Sequence, residues 1–157
     1  RPAIGTGDLE VVGRHAEARV LYQVEAAVAE RDLPQALRAL DAALLFPREN
    51  GPIRIVAMLG ERFRKMLVAG DRMEAGYAPP AVLEGMWFPG PGGSGPFLKS
   101  LGLFRRAELA EALAELARLD RALKTGQAEP DRLHLELVLR RICGVRRTAP
   151  PGAPAPR

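Results

Sequence analysis

The chain has 157 residues, of which 47% are hydrophobic and 27% charged, a composition typical of a folded globular protein. This length suits one domain with a core of ordinary size. No apolar run approaches the roughly 18 residues that a membrane helix requires, and residues 1–13 lack the features of a secretory signal, so we expect a soluble protein without a membrane partner. Because the chain opens abruptly with Arg1 rather than Met, we expect a piece of something longer.

Basic residues give the chain a net charge of +4. Such groups can bind nucleic acid, but they are more often the solvated faces of helices, which is the interpretation we favour. One group lies on a single predicted helix and the other near the C-terminus: Arg62, Arg64 and Lys65, then Arg140, Arg141, Arg146, Arg147 and Arg157.

The single cysteine, Cys143, excludes an internal disulfide and fits a reducing compartment, so we expect a cytoplasmic protein. Because Cys143 ends an apolar helical pattern, we expect a small buried residue rather than a nucleophile.

In the first third of the chain, the sequence predicts an entry segment at 1–13 followed by two helices. Within the entry segment, Asp8 is predicted to cap a short helix, and Gly13 breaks the helical pattern. Apolar residues then recur at helical spacing from residue 16 to about residue 31. Asp32 is the predicted N-cap of the next helix, with Gln35 three residues on, and Pro47 ends that helix.

A long third helix is predicted after Asn50, a candidate cap, and it weakens at Gly70. Residues 77–86 predict a short helix opened by Pro79 and Pro80. The run WFPGPGGSGP at 87–96 cannot be regular helix, because proline removes donors and glycine costs backbone entropy, so we predict a flexible surface loop.

The glycines of this run, Gly92, Gly93 and Gly95, do not make a phosphate-binding loop. A P-loop requires a preceding buried strand and a terminal Gly-Lys-Ser/Thr, and the sequence has neither.

The stretch from Ala107 to Cys143 predicts two helices, separated by Gly126 and Pro130. Asp120 falls on the apolar stripe of the first one, where an unpaired charge would be costly. It is either a catalytic or partner-binding carboxylate or, as we favour, a structural residue paired with Lys124 or a neighbouring arginine. The stripe comprises Leu109, Ala112, Leu113, Leu116, Leu119 and Leu123.

No segment alternates with period two, so the sequence predicts an all-α helical bundle of about five main helices. The domain should occupy residues 1–143, and the Pro/Ala/Arg-rich residues 144–157 are typical of a disordered tail.

Nothing in the sequence predicts a catalytic, cofactor-binding or metal site. His15 and His134 are far apart and lack a spaced set of further ligands. Ser94 and Ser100 lack a nucleophile-elbow context. Carboxylates such as Glu111 and Glu115 lie opposite the apolar stripe, where we expect them to be solvated.

The order and spacing of these helices resemble the C-terminal collar domain of the delta subunit of bacterial DNA polymerase III. That family often closes with an acidic residue, a Leu-Lys-Ser/Thr-Gly turn and a Leu-Glu helix ending in Leu-Cys. The matching positions here are Asp120, Leu123, Lys124, Thr125 and Gly126, then Leu135, Glu136, Leu139, Ile142 and Cys143. Residues 11–37 and Pro52, Ile55, Leu59, Phe63 and Arg64 extend the resemblance to roughly 8–143, and the Gly/Pro-rich stretch at 85–96 departs from the family pattern.

The resemblance implies a non-catalytic oligomerisation domain that helps to assemble the clamp loader, which places the sliding clamp on DNA during replication. Its partners would be the other loader subunits, with the sliding clamp and DNA contacted through the full-length assembly. The polymerase activity would belong to the holoenzyme, and no cofactor is implied for this chain.

Two alternatives remain at this point: a stand-alone helical nucleic-acid-binding domain, and the collar domain of the loader's ATPase subunit. A P-loop upstream of Arg1 would favour the ATPase subunit. Under the favoured hypothesis, apolar residues at the ends of elements either contact partners or fill the domain's own core. These candidates are Leu45, Phe46, Trp87 and Phe88.

Overall fold

The computed structural model describes residues 6–46, 51–88, 90, 92–127 and 131–144, with side chains placed from Val11 onward. These residues form seven α-helices and no strand, so the predicted all-α fold with about five main helices is confirmed. The five long helices are α1 (Thr6–Ala29), α2 (Leu33–Leu44), α3 (Gly51–Glu74), α6 (Arg106–Lys124) and α7 (Asp131–Gly144), and the two short ones are α4 (Pro79–Val82) and α5 (Gly95–Leu101).

The N-terminal helix α1 is continuous, so two predictions about it are wrong. Gly13 lies inside the helix instead of breaking it. Asp8 also lies inside it, in the first turn, instead of capping a separate short helix. A glycine in a helix interior costs only about 1 kcal/mol relative to alanine. Neighbouring helix-forming residues and the packing of the later turns offset a cost of that size.

The turn between α1 and α2 follows the sequence prediction closely. Asp32 is the N-cap of α2, and its Oδ1 accepts a hydrogen bond from the Gln35 backbone N–H at 3.0 Å. Helix α2 ends at Leu44. Pro47, predicted to stop it, and Asn50, the candidate cap of α3, lie outside the described residues.

The middle of the chain contains one long helix and two short ones. Helix α3 passes through Gly70 and ends at Glu74, and α4 begins at Pro79 as predicted. The predicted loop at 87–96 is two residues too long, because α5 already begins at Gly95. Phe97 follows at once and is fully buried, so its burial helps to draw this segment onto the core.

Helix α3 lies at the centre of the bundle, where it contacts every other helix and packs most extensively against α6. Its Phe63 and Met66 are fully buried. Phe63 meets Phe104 edge-to-face, with ring centroids 5.3 Å apart. This central position explains why α3 is buried along most of its length.

Helix α6 ends in a Schellman motif with Gly126, predicted to separate the two C-terminal helices, at its C′ position. Gly126 has a φ of 69°, and the N–H of Gln127 donates to the carbonyl of Ala122 at 2.8 Å. Pro130, predicted to open α7, lies outside the described residues. The stripe on α6 is buried at Leu109, Ala112, Leu116 and Leu119.

Candidate interaction site

Asp120 forms the predicted pair with Lys124, at 2.6 Å between Oδ2 and Nζ. The expectation that this carboxylate is buried is wrong, because its side chain is 31% exposed and that of Lys124 is 56% exposed. Asp120 therefore lies at the edge of the apolar stripe, where water already solvates part of its charge. It is a surface ion pair.

The four apolar candidates divide into exposed and packed residues. Leu45 is 82% exposed and Trp87 is 74% exposed, so both are available to a partner. Phe88 instead packs on Phe97 with ring centroids 4.7 Å apart, and Phe46 is half-buried. The core-filling alternative therefore holds for Phe88.

The Gly/Pro-rich segment around Trp87 packs against α1 and α3. Lys65 donates through Nζ to the Trp87 carbonyl at 2.9 Å. A Cβ added to Gly90 would lie 2.0 Å from a ring carbon of Tyr22, closer than atoms can approach. The backbone at Gly90 thus fits against an aromatic ring, which is more contact than a flexible surface loop would make.

Arg62 is largely buried between three helices, with 10% of its side chain exposed, so the expectation of a solvated basic face is wrong for this residue. Its NH1 donates to Glu25 Oε1 at 3.1 Å, and its NH2 donates to Ser100 Oγ at 3.2 Å. Its guanidinium also lies 4.8 Å from the ring centroid of Phe97. Burial raises the pKa of Glu25 and lowers that of Arg62, and the attraction between the two charges opposes both shifts.

The C-terminal arginines that the structure describes also have partners. Arg141 binds Glu115 at 2.9 Å, joining α7 to α6, and Arg140 binds Glu136 on its own helix at 2.8 Å. Glu115 is therefore half-buried and bound, and its predicted solvation is wrong, whereas Glu111 is exposed as expected. Arg146, Arg147 and Arg157 lie outside the described residues.

The candidate reactive residues occupy structural positions. Cys143 is buried as predicted, and burial raises the pKa of its thiol to about 11. His15 donates through Nδ1 to the Val11 carbonyl at 2.7 Å. Ser100 donates to the Phe97 carbonyl, and Ser94 precedes α5 without capping it through its side chain.

Across the described ranges, no three metal-ligating side chains come together, and no helix is long and apolar enough to cross a membrane.

Arg31 was missed by the sequence analysis, although it joins three parts of the bundle. Its Nε donates to the Leu103 carbonyl at 2.9 Å, and its NH1 donates to the Ile142 carbonyl at 3.2 Å. Its NH2 lies 2.8 Å from Glu108, and its guanidinium lies 4.0 Å from the ring centroid of Phe104. No periodicity or motif marks such a residue, because the two carbonyls that it binds are 72 and 111 positions further along the chain.

An apolar groove of about 440 Å³ runs between α3, α5 and α6. Phe104 and Leu109 are buried at its base, and Met73 is 54% exposed at its side. The ion pair between Asp71 and Arg106 lines one edge at 2.8 Å. Together with Leu45 and Trp87, this groove leaves apolar surface uncovered in the isolated domain.

Residues 19–142 match the family model described as the C-terminal domain of the DNA polymerase III delta subunit. The chain belongs to this family. The resemblance seen in the sequence over roughly residues 8–143 is thus confirmed for residues 19–142.

A solved structure with the same fold is the Bacillus subtilis DNA clamp loader delta protein (YqeN), with a TM-score of 0.63 and 23% sequence identity. The match covers 82% of this chain and 37% of the B. subtilis chain, so the present chain corresponds to just over a third of that relative's length. Among curated proteins, none matches the chain.

Proposed function

We propose that this delta C-terminal domain is a non-catalytic oligomerisation domain, the collar part of a cytoplasmic clamp-loader delta subunit. It packs against the other loader subunits and so helps to assemble the machine that places the sliding clamp on DNA. Contacts with the clamp and with DNA belong to the full-length assembly, and nucleotide polymerisation belongs to the holoenzyme.

The observation that carries this proposal is the set of large apolar side chains left at the surface of a domain from this family. Exposed apolar residues that are scattered singly are common, so the apolar groove between α3, α5 and α6, with the exposed Met73 on its lining, supports contact with a partner more than the single residues do. The most exposed are Leu45, Trp87, Val12, Tyr77 and Met73.

Co-purification tests the proposal. The full-length delta chain is co-expressed with the other loader subunits of the same organism, and a tag on delta is used for capture. We expect the other subunits in fixed stoichiometry, and a matched delta chain lacking residues 6–144 should capture none of them through the missing collar. A full-length chain that captures no loader subunit would contradict the proposal.

A stand-alone nucleic-acid-binding domain is less well supported, because Arg62, Arg64 and Lys65 already contact Glu25, Glu61 and the Trp87 carbonyl. That alternative requires duplex DNA to bind residues 1–157 at low salt, with an affinity that falls steeply as salt rises. The family match also favours delta over the ATPase subunit.

A further inference from the structure

A second groove, of about 480 Å³, lies between α1, α3 and the segment that leads from α4 to α5. Its lining is rich in aromatic residues, because Tyr22, Trp87 and Phe88 all contribute to it. Trp87 is 74% exposed and is the only tryptophan among the 157 residues. We call this feature the Trp87 groove.

The walls of the Trp87 groove are held by packing contacts. The ring of Phe88 lies on that of Phe97, with centroids 4.7 Å apart, and the backbone at Gly90 lies against the ring of Tyr22. A binding surface that is already formed pays little ordering entropy when a ligand arrives. The aromatic surface is therefore ready for contact without rearrangement.

Residues 145–157 have the composition of a ligand for such a groove. Four of the seven residues from 150 to 156 are proline. Because proline fixes φ at about −65°, this sequence favours the polyproline II conformation, in which backbone carbonyls make no internal hydrogen bonds. Proline-rich segments dock in aromatic-lined grooves through this conformation, and they lose little entropy in doing so.

The position at which α7 ends brings this segment within reach of the groove. Arg31 binds the carbonyls of both Ile142 and Leu103, so the last turn of α7 lies beside the turn that follows α5. From there α5, with seven residues, spans about 10 Å back to Pro96, which lines the groove. Polyproline II rises about 3.1 Å per residue, so the six steps from the end of α7 to the first proline cover about 19 Å.

We propose that the proline-rich segment at 150–157 docks in the Trp87 groove of its own chain, with its prolines on the indole ring. Lys65 offers a polar contact, because its ammonium has three N–H donors. The Trp87 carbonyl at 2.9 Å and Glu61 at 3.8 Å take two of them, and the third is left for a carbonyl of the docked segment.

The docked segment covers Trp87 in the free chain, so a neighbouring subunit contacts this tryptophan only by displacing the segment. This inference goes beyond the proposed function and does not depend on it, since both the groove and its ligand belong to the same chain. Failure of the co-purification with loader subunits would leave it standing.

Nucleic acid fits the Trp87 groove less well than the proline-rich segment. The charged residues that line the groove are balanced, with Glu25 and Glu61 against Arg62 and Lys65. The lining therefore offers phosphates no excess of positive charge, and phosphate contacts supply most of the affinity of nucleic-acid binding. Aromatic and apolar contact is what a ligand gains in this groove.

Trp87 fluorescence tests the docking in the 157-residue chain, which contains the whole described core. A short linker gives the segment an effective concentration of about 1 mM, so an intrinsic Kd of about 0.1 mM would keep it docked in about 90% of the molecules. We expect the acrylamide quenching constant of Trp87 to be lower by about twofold or more than in the same chain ending at Gly144. Equal quenching in the two chains would overturn the proposal.

Two variants separate the prolines from the arginines of the same segment. P150S/P151S/P154S/P156S keeps the length and the charge of the chain but removes the fixed φ angles, so its Trp87 should be quenched as in the chain ending at Gly144. The matched control R146Q/R147Q keeps the prolines and should be quenched as the wild type is. The reverse pattern would show a contact made by charge and would overturn docking through the prolines.

Dilution separates docking within one chain from docking between two copies. Within one chain, the effective concentration is set by the linker, so the quenching constant should stay the same from about 1 to about 100 µM protein. A quenching constant that rises on dilution would assign the segment to the groove of a second copy and overturn the proposal.

Discussion

Arg31 occupies a backbone position where glycine is usual. Helix α1 ends as α6 does, with the Asp32 N–H donating to the Ala27 carbonyl at 2.9 Å, and Arg31 takes the place that Gly126 has at the end of α6. Its φ of 57° is left-handed and costs about 1 kcal/mol or more in a residue with a Cβ. The side chain offsets this cost, because it holds two distant carbonyls, Glu108 and the Phe104 ring.

Two substitutions at Arg31 separate the backbone from the side chain. Arg31→Ala should lower the free energy of unfolding by about 2 kcal/mol, since it removes one of the two partners of the half-buried Glu108, which keeps the Arg105 backbone N–H, and it leaves the unfavourable φ in place. Arg31→Gly relieves the φ and should be about 1 kcal/mol less destabilising. Urea unfolding measures both, with Arg64→Ala as an exposed control. Equal losses of unfolding free energy in the two Arg31 variants would contradict the cost assigned to the positive φ.

Asp120 gives a contrasting prediction. The sequence suggests a buried pair, whose loss would lower thermal stability markedly, but the Asp120–Lys124 pair is substantially exposed. We expect Asp120→Ala to change the free energy of unfolding by no more than about 0.5 kcal/mol, because solvent screens such pairs. A loss above about 2 kcal/mol in thermal or urea unfolding would contradict this prediction and support a buried ion pair.

At the scale of the helices, Glu25 and Arg62 connect α1 to α3, and Ser100 extends the connection to α5. Both charges are largely withdrawn from water, with side-chain exposures of 21% and 10%. Burial of this kind costs much of what the attraction contributes, so the pair fixes the arrangement of the helices more than it adds stability.

A double-mutant cycle tests the role of this pair. Glu25→Met alone should destabilise the domain by about 3 kcal/mol, because it leaves the Arg62 charge buried without its partner. Adding Arg62→Met should recover part of that loss, giving a coupling free energy above about 1 kcal/mol from urea unfolding. Additive losses would show that the two charges do not depend on each other.

Local patterns predicted most of the helices and few of their contacts. Caps and stop signals are local, so Asp32 and Gly126 could be placed from neighbouring residues alone. Gly13 could not, because the weak preference of one glycine is outweighed by packing that joins distant parts of the chain. Burial of Arg62 and Glu115 is likewise set by other helices, which a single helix pattern does not contain.

For the whole molecule, carboxylates bound by arginines make stability depend on acidity. Hydrogen bonds from Arg140 and Arg132 lower the pKa of Glu136. At Glu115, burial raises the pKa, but hydrogen bonds and charges from Arg118 and Arg141 outweigh it, so the pKa is lowered. The pKa of Asp71 is lowered by the hydrogen bond that Arg106 donates to it. A group with a lowered folded-state pKa stabilises the fold above its unfolded pKa and loses that contribution as the pH falls.

We therefore expect the melting temperature to fall as the pH drops below about 4.5, the ordinary value for glutamate. Glu25, whose pKa burial raises, has the opposite sign and reduces the slope. Thermal scans between pH 7 and pH 3 measure the effect, and Glu115→Gln should show a shallower decline than the wild type. A constant melting temperature down to pH 3 would contradict this linkage.

The exposed apolar surface was only partly predictable from the sequence. Leu45 and Trp87 could be proposed because they lie at the ends of elements, and both are exposed. Leu133 and Leu137 lie inside a helix with apolar residues on nearly every side, so periodicity did not separate them from Leu135 and Leu139. Only the position of α7 against α2 and α6 decides which leucines face outward.

The central pairing of α3 with α6 also bears on how fast the domain folds. The contact between Asp71 and Arg106 closes a loop across 35 positions, whereas α1 and α2 meet across a turn of three residues. Closure entropy grows with the logarithm of length, so doubling that loop at Gly92 and Gly93 costs only about 0.6 kcal/mol. Such an insertion should slow refolding roughly threefold and leave the unfolding rate nearly unchanged, so this region can vary in length between relatives while the bundle keeps its stability.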